Sequence, residues 1–440
     1  MINPINVQYF PEALLYNSDQ FSVSNRLDKN KETIFLFPKT EQQEEYNMEY
    51  NNLFGRPVSK LGFGCMRLPE GQDGEYIEDE CQEMFDYAMT HGINYFDSAW
   101  HYIDSQKMIG QCLAKYPRES YILVGKLCFY DGTLESREAA AQAFEKELTD
   151  ARTDYMDLEL IHALGNPGSL ERVDALDIWG FMRELKASGR VKHIGISFHS
   201  TPENLERILT QHPEIEVVQI QANYYDHNTD GAYAVGGSYE TYEVCRKYNK
   251  PMIIMEPVKG GNLATVDQHT EIRELFQHAD PSQSPASWAL RYAASLDGVL
   301  TVLSGMSTIE QMRENVRILG DSFRPLTAQE RNMLKDAAKI IENKQPVGCT
   351  GCHYCMDRGC PAGIDIPEIL SCLNALNQFN NPRMTRMKYY PAITKSSPRD
   401  CLGCGGCENA CPQKLPIRKL IHEADDRLYI GEGIDLWANH

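Results

Sequence analysis

From Lys60 onward the chain alternates between short apolar runs of strand character and longer stretches in which apolar residues recur every three to four positions. Eight runs are of the first kind: Leu61–Leu68, Asn94–Ala99, Tyr121–Leu127, Met156–Ala163, His193–Phe198, Val217–Tyr225, Met252–Val258 and Val299–Met306. The stretches between them read as amphipathic helices. Cys81, Met84, Phe85, Ala88 and Met89 share one face of the first, and Ile178, Phe181, Met182 and Leu185 share one face of a later one. Ser200-x-x-Glu203 and Ser307-x-x-Glu310 each follow a strand directly and have the spacing of a capping box at a helix start. Eight strand–helix units with right-handed crossovers predict an α/β fold, a parallel (β/α)8 TIM barrel; an open doubly wound sheet is the competing arrangement.

Outside the barrel pattern the chain changes character. Residues 1–47 carry no clean period and read as an N-terminal extension, with Met48 an alternative start. The barrel is expected over residues 48–325, and Thr327-x-x-Glu330 opens a connecting helix within 326–344. Residues 345–440 form a smaller module in which Pro367–Leu376 is helical in character and a less regular stretch precedes Cys401.

Of the 440 residues, 42% are apolar and 24% charged, ordinary globular usage. The net charge of −19 argues against a sequence-independent grip on nucleic acid. Residues 345–440 are balanced, with ten basic and ten acidic side chains, so the acidic excess belongs to the part before. No run approaches the ~18 apolar residues of a membrane span. Met1–Phe10 lacks the basic head and apolar stretch of a secretory signal, so a cytoplasmic protein is expected. In a reducing compartment, clustered thiols read as metal ligands rather than disulfides. Of fourteen cysteines, Cys65, Cys81, Cys112, Cys128 and Cys245 are scattered and read as small buried apolar groups. The other nine crowd between Cys349 and Cys411.

Eight of those nine fall into two copies of one spacing, Cys349-x2-Cys352-x2-Cys355-x4-Cys360-Pro361 and Cys401-x2-Cys404-x2-Cys407-x3-Cys411-Pro412. The second copy matches the bacterial ferredoxin run for a 4Fe–4S cluster, in which the fourth cysteine ligates the other cluster of a pair. Two 4Fe–4S clusters are therefore expected. Cys349, Cys352, Cys355 and Cys411 would hold one, and Cys401, Cys404, Cys407 and Cys360 the other. Zinc is the alternative, but zinc sites normally part their thiolate pairs by a longer loop. Cys372, on the helical stretch between the motifs, reads as a core residue. The separation of the motifs by about forty residues resembles an α-helical ferredoxin.

In a barrel of this kind the active site is built at the carboxyl ends of the strands. Asp97, Lys126, His162 and Ser197 close successive strands, and Tyr102 lies five residues past Asp97. A phenol donates a proton poorly at neutral pH, and an adjacent ammonium lowers its pKa. Asp97 would keep Lys126 charged, and His162 would orient a carbonyl oxygen toward Tyr102.

At these residues the sequence resembles the aldo/keto reductases. The carriers of the resemblance are Asn94-Tyr95-Phe96-Asp97-Ser98-Ala99-Trp100-His101-Tyr102, Val124-Gly125-Lys126 and Leu160-Ile161-His162. With the cysteine module it resembles the bacterial and archaeal members that carry a C-terminal two-cluster ferredoxin domain. The resemblance implies Tyr102 as proton donor and a nicotinamide cofactor, NADPH or NADH, bound without a Rossmann domain. It implies carboxamide contacts from Ser197 and Gln219, and adenosine contacts from Ser304, Gly305, Gln311 and Asn315. The chain departs from the usual pattern at Phe198, at Met255-Glu256 and at Gly305-Met306-Ser307, where basic residues for a 2′-phosphate are missing; Arg313 is close in sequence.

The reading that follows is an oxidoreductase acting on a small-molecule carbonyl or alcohol, coupled to single-electron transfer through two clusters and to an electron-transfer partner protein. A nicotinamide releases two electrons as hydride and a cluster takes one, so a flavin enters as a further cofactor candidate. The competing reading is an iron–sulfur electron-transfer protein whose barrel is a non-catalytic or flavin-binding scaffold.

Overall fold

The computed structural model describes residues 21–22, 37–38, 48–71, 74–129, 134–165, 168–228, 237–320, 323–357 and 359–431. The expected N-terminal extension lies outside these, apart from two short segments, Phe21–Ser22 and Phe37–Pro38, that pair antiparallel.

Eight strands form a closed parallel barrel: β1 (Leu61–Gly64), β2 (Tyr95–Asp97), β3 (Ile122–Cys128), β4 (Met156–Leu164), β5 (Val191–Phe198), β6 (Val217–Gln221), β7 (Met252–Met255) and β8 (Val299–Ser304). Closure is made by β8 against β1, with Val302 opposite Leu61 and Ser304 opposite Phe63. This rules out the open sheet. Several strands stop short of the apolar run that announced them. Cys65–Arg67 turns into a 3-10 helix, and β7 ends at Met255 because Glu256 adopts a left-handed φ of 52° that no ladder accommodates.

The side chains follow the parity of the strands. Val124, Leu158, Leu160, Val217 and Ile253 fill the barrel interior, and a hairpin, Tyr50–Leu53 with Arg56–Ser59, adds Leu53 and Val58 to that cluster. Asn51 of the hairpin donates to the carbonyls of Val299 and Leu300 at the start of β8. A larger apolar layer joins the outside of the barrel to its helices. The expected faces of Glu78–Thr90 and Ile178–Ala187 are the buried ones.

Two helix starts differ from expectation by one residue. Helices Pro202–Gln211 and Ile309–Leu319 are capped by Thr201 and Thr308, which accept from the backbone N–H of Asn204 and Gln311. The fixed φ of Pro202 suits the first helical position and so places the cap at 201. The Ser307 hydroxyl instead donates to the Arg67 carbonyl at 2.8 Å. At Thr327 the capping box forms as expected, with both reciprocal hydrogen bonds, and opens helix Ala328–Asn343.

The C-terminal module packs helices Ile366–Phe379, Pro382–Ala392 and Ile417–Leu428 around its own apolar cluster, which includes Cys372. The two cysteine motifs meet backbone to backbone. A Cβ on Gly406 would stand 2.3 Å from the Gly359 carbonyl oxygen, so both positions demand glycine, and Gly359 belongs to the extra residue of the first motif.

Behind β3, in the layer between barrel and helices, two carboxyls are buried together. Glu147 of helix Arg137–Asp150 accepts from Gln106 at 2.5 Å and from the Lys126 N–H at 3.3 Å, and Glu159 of β4 lies beside it. Burial and mutual repulsion raise Glu159 well above the ordinary carboxyl range, and burial raises Glu147 as well. Glu147 Oε2 and both Glu159 oxygens find no donor among the described residues, and one shared proton links two of these three oxygens. A carboxyl with a raised folded pKa binds more protons folded than unfolded, so stability falls as pH climbs from the ordinary carboxyl value toward the raised one. Glu159→Gln is accordingly expected to stabilise the protein at pH 8. It should do little at pH 4.5; thermal unfolding at the two pH values reads the difference.

Candidate active site and cluster cavities

The mouth of the barrel is assembled from three consecutive strand–loop units. Past β2 the chain runs on along β3, since the N–H of Ser98 donates to the Val124 carbonyl at 3.1 Å and that of Trp100 to the Lys126 carbonyl at 3.0 Å. This course carries Tyr102 over the barrel. Lys126 points inward from β3, its ammonium donating to Asp97 Oδ1 at 2.5 Å and to the Ser98 carbonyl at 2.6 Å, with the Tyr102 ring centroid 5.2 Å away. His162 comes from β4, where a register shift between Ile161 and Leu164 and the left-handed Ala163 make a bulge. Bulges of this sort re-aim a side chain beside an active site. The His162 ring stands edge-on to Tyr102, with centroids 5.7 Å apart. The structure thus brings together the four residues Asp97, Tyr102, Lys126 and His162.

The charges in this group are set by burial against pairing. Burial raises the Asp97 carboxyl despite Lys126, and burial alone would lower Lys126, yet Asp97 and Tyr102 outweigh it and leave its pKa raised. Burial, aided by Lys126 and neighbouring histidines, takes His162 well below its ordinary value, so the ring is neutral at pH 7. Tyr102 departs from expectation. Burial of the phenol outweighs the nearby ammonium, and its pKa lies above the ordinary value rather than below it.

The six residues expected to hold the cofactor fall into two groups. Ser197 and Gln219 occupy opposed positions on β5 and β6 and are buried. Ser197 Oγ and Gln219 Oε1 have no partner among the described residues, while Gln219 Nε2 reaches only the Met255 sulfur at 3.7 Å. A hydroxyl and an amide left open side by side fit a carboxamide such as that of nicotinamide. Ser304, Gly305, Gln311 and Asn315 line a cavity of about 460 Å³ beside the mouth. Asn315 donates to Ser304 Oγ at 2.9 Å, and Gln311 Oε1 accepts from the Ser307 N–H at 2.8 Å. Arg313 is turned to Glu83 at 3.5 Å and is not among the cavity's lining residues.

Sequence reasoning missed the other walls of that cavity. Arg67, from the turn after β1, lies 3.6 Å from Glu256. Asn381 and Arg383 come from the C-terminal module, more than 300 positions from Arg67 in sequence. Burial and the like charge of Arg67 lower the Arg383 guanidinium. The segment bearing them is fixed to the barrel: Thr265 donates to the Phe379 carbonyl at 2.6 Å, His269 Nε2 contacts the Gln378 carbonyl at 2.8 Å, and Gln378 donates to the Tyr225 hydroxyl at 3.2 Å. No local pattern announces such contacts.

The eight motif cysteines gather at two small cavities. Cys349, Cys352, Cys355 and Cys411 line one with Pro367, Leu370, Leu415 and Ile417; Cys360, Cys401, Cys404 and Cys407 line the other with Ile364, Ile366, Ile421 and Arg418. Burial, then the neighbouring Cys349, pushes Cys355 up to about 11. Four sulfur donors converging on one small cavity with apolar walls fit a bound iron cluster. The five scattered cysteines are all buried.

A family model for the aldo/keto reductase family matches residues 60–339, and one for a 4Fe-4S dicluster domain matches residues 348–415. The chain belongs to the aldo/keto reductase family, an oxidoreductase family that uses NAD(P)H, and it carries a 4Fe-4S domain after the barrel. It is similar to the uncharacterized oxidoreductase YqkF of Bacillus subtilis, 26% identical over 303 residues that cover 64% of this chain and 93% of that protein. L-galactose dehydrogenase of Arabidopsis thaliana is 24% identical, over 60% of this chain and 84% of that protein. Among solved structures, the holo form of aldo-keto reductase AKR11C1 from Bacillus halodurans matches with a TM-score of 0.53 and 25% identity, over 66% of this chain and 96% of that one. An aldo/keto reductase from Klebsiella pneumoniae, solved with NADP and acetate, shares the fold at 20% identity and a TM-score of 0.52, over 64% and 91% of the two chains. No described helix is long and apolar enough to cross a membrane.

The grouping of the cysteines generates a crossed expectation. Cys411→Ser should cost the cluster served by Cys349, Cys352 and Cys355, although Cys411 belongs to the other motif, and should leave about four of about eight irons per chain. Iron and sulfide analysis of anaerobically purified protein, with Cys360→Ser as the reciprocal variant, measures this; loss of all iron from either would contradict two separable sites.

Proposed function

We propose that the chain is a carbonyl or alcohol oxidoreductase that works through Tyr102 with NADPH or NADH, and that passes electrons to or from two 4Fe–4S clusters in its C-terminal module. The observation that carries this reading is the buried Lys126 ammonium, clamped by Asp97 Oδ1 at 2.5 Å and the Ser98 carbonyl at 2.6 Å beneath the Tyr102 ring. Bound nicotinamide would supply a hydride to the carbonyl carbon, and the clusters would each carry one electron at a time.

In the reduction direction, His162, neutral and buried, donates a hydrogen bond to the substrate oxygen and aligns it with the Tyr102 hydroxyl. Tyr102 gives its proton to that oxygen as the carbon accepts the hydride. The phenolate left behind is the charge Lys126 faces, so the ammonium acts on the transition state more than on the resting phenol. The raised resting pKa of Tyr102 agrees with this division of labour. Ser197 and Gln219 would hold the carboxamide of the cofactor. Arg67, with Arg383 from the iron–sulfur module, faces the cavity as a pair of guanidiniums suited to phosphate oxygens. Cofactor capture and the seating of the module would then depend on one another.

Tyr102→Phe should lower carbonyl reduction by about 10²–10⁴-fold with little change in cofactor affinity, and Lys126→Met should do comparable damage. Steady-state rates beside a fluorescence titration of NAD(P)H separate the two effects. Activity surviving both changes would refute the tetrad.

Arg383→Gln should weaken NAD(P)H binding by about tenfold or more, the scale of a lost charge-assisted hydrogen bond. Coupling between hydride and single electrons calls for a flavin, so NAD(P)H should bleach the cluster absorbance only when FMN or FAD is present. Anaerobic mixing with and without each flavin reads this directly.

A further inference from the structure

Cys128 is buried, as expected of the scattered thiols, and it lies at the end of β3 beside the mouth. On β3, Val124, Lys126 and Cys128 share one parity, and Val124 belongs to the cluster inside the barrel; on β4, Leu158, Leu160 and His162 do the same. Cys128 is paired in register with His162, so the two side chains lie next to each other on the inner face. His101, on the loop after β2, brings its ring to 4.7 Å from that of His162, centroid to centroid. One ligand atom from each of His101, Cys128 and His162 falls within 4.8 Å of the others.

We propose that His101, Cys128 and His162 form a site for a thiophilic divalent cation of the zinc class, and that the bound ion competes with the carbonyl substrate at the barrel mouth. Two imidazoles and a thiolate are the donor set that zinc prefers, and three protein ligands leave a fourth position to water or substrate. Bond lengths of about 2.0–2.3 Å require ligand atoms roughly 3.3–3.6 Å apart, so the side chains must draw in by about 1 Å. His101 is partly exposed on its loop. Binding exchanges the Cys128 thiol proton, released to water, for the cation. Lys126 sits one inward position deeper on β3, with its charge already matched by Asp97. His162 Nδ1 is buried and lacks a hydrogen-bond partner among the described residues, and the ring is neutral, the form that ligates.

The competition rests on the reductase reading, because His162 cannot orient a carbonyl while bound to an ion; the binding itself does not. The test uses cluster-loaded protein, so that the eight motif cysteines are occupied, dialysed anaerobically against Zn²⁺ and analysed for zinc, iron and sulfide. Wild type should take up about one zinc per chain without losing iron. Cys128→Ser, close in shape, and His101→Ala, at a partly exposed position, should each weaken uptake by at least about tenfold, a size that even outer-shell partners of a metal command. Uptake unchanged in both variants, or none in wild type, would overturn the site. In the kinetic arm, zinc should raise KM for the carbonyl while leaving kcat unchanged, with the effect reversed by EDTA. Zinc bound at these residues without competition would overturn the placement at the mouth. A wild type that binds zinc and reduces no carbonyl would leave the metal site standing and refute the reductase reading.

Discussion

A full positive charge sits inside this barrel, and much of the mouth is arranged around keeping it there. The Lys126 side chain is 1% exposed, a position where an ammonium costs several kcal/mol unless it is matched at close range. Asp97 can match it only because β2 and β3 pair with Asp97 opposite Val124, which places the carboxylate beside the next inward residue of β3. The same ladder, continued by Ser98 and Trp100, leads the chain on to Tyr102. Charge compensation, strand register and the position of the Tyr102 phenol are thus one constraint. Removing Asp97 would leave a buried cation, so its role cannot be divided into a structural and a chemical part.

How far the chain could be read in advance depended on whether a feature is local. The eight strands and the helix faces are patterns of period two or 3.6 within short windows, and they were legible. So was the convergence of Asp97, Lys126 and His162, which follows from their places at successive strand ends. The pairing of Cys411 with Cys349 was legible too, because the ferredoxin spacing encodes a crossed arrangement. Strand ends were not, since Glu256 leaves the sheet through its backbone conformation rather than through its polarity. The caps at Thr201 and Thr308 slipped by one residue because serine and threonine stand side by side; Pro202 is a local signal for the first, whereas no such signal decides between Ser307 and Thr308. The Tyr102 pKa was misjudged for a similar reason: a charged neighbour can be seen in the sequence, whereas the extent of burial cannot. Arg383 and Asn381 were invisible because they reach the barrel cavity from a different module.

That reach changes what the C-terminal module is. Its own core contains the cysteines of both cavities, and it could have been tethered loosely. Instead Phe379 joins an apolar cluster shared with the barrel helices and the connecting helix, and its ring meets Tyr225 edge-on at 5.4 Å. The polar contacts of Thr265, His269 and Gln378 satisfy backbone and side-chain groups that this burial would otherwise strand. A joint built in this way holds the cavity wall and the iron–sulfur module in one frame.

Gly260 lies against the module's helix Pro382–Ala392. Its φ of 64° suits glycine, and a Cβ there would approach the Met384 methyl group to 2.6 Å. The barrel has given up a side chain so that the module's helix can lie close. A larger residue at this place would have to push aside the Met384 methyl group, the movable end of a flexible side chain, and would also have to adopt the left-handed backbone. The seam between barrel and module is therefore asymmetric: on the module's side Met384 can yield, whereas on the barrel's side the left-handed backbone itself resists a side chain.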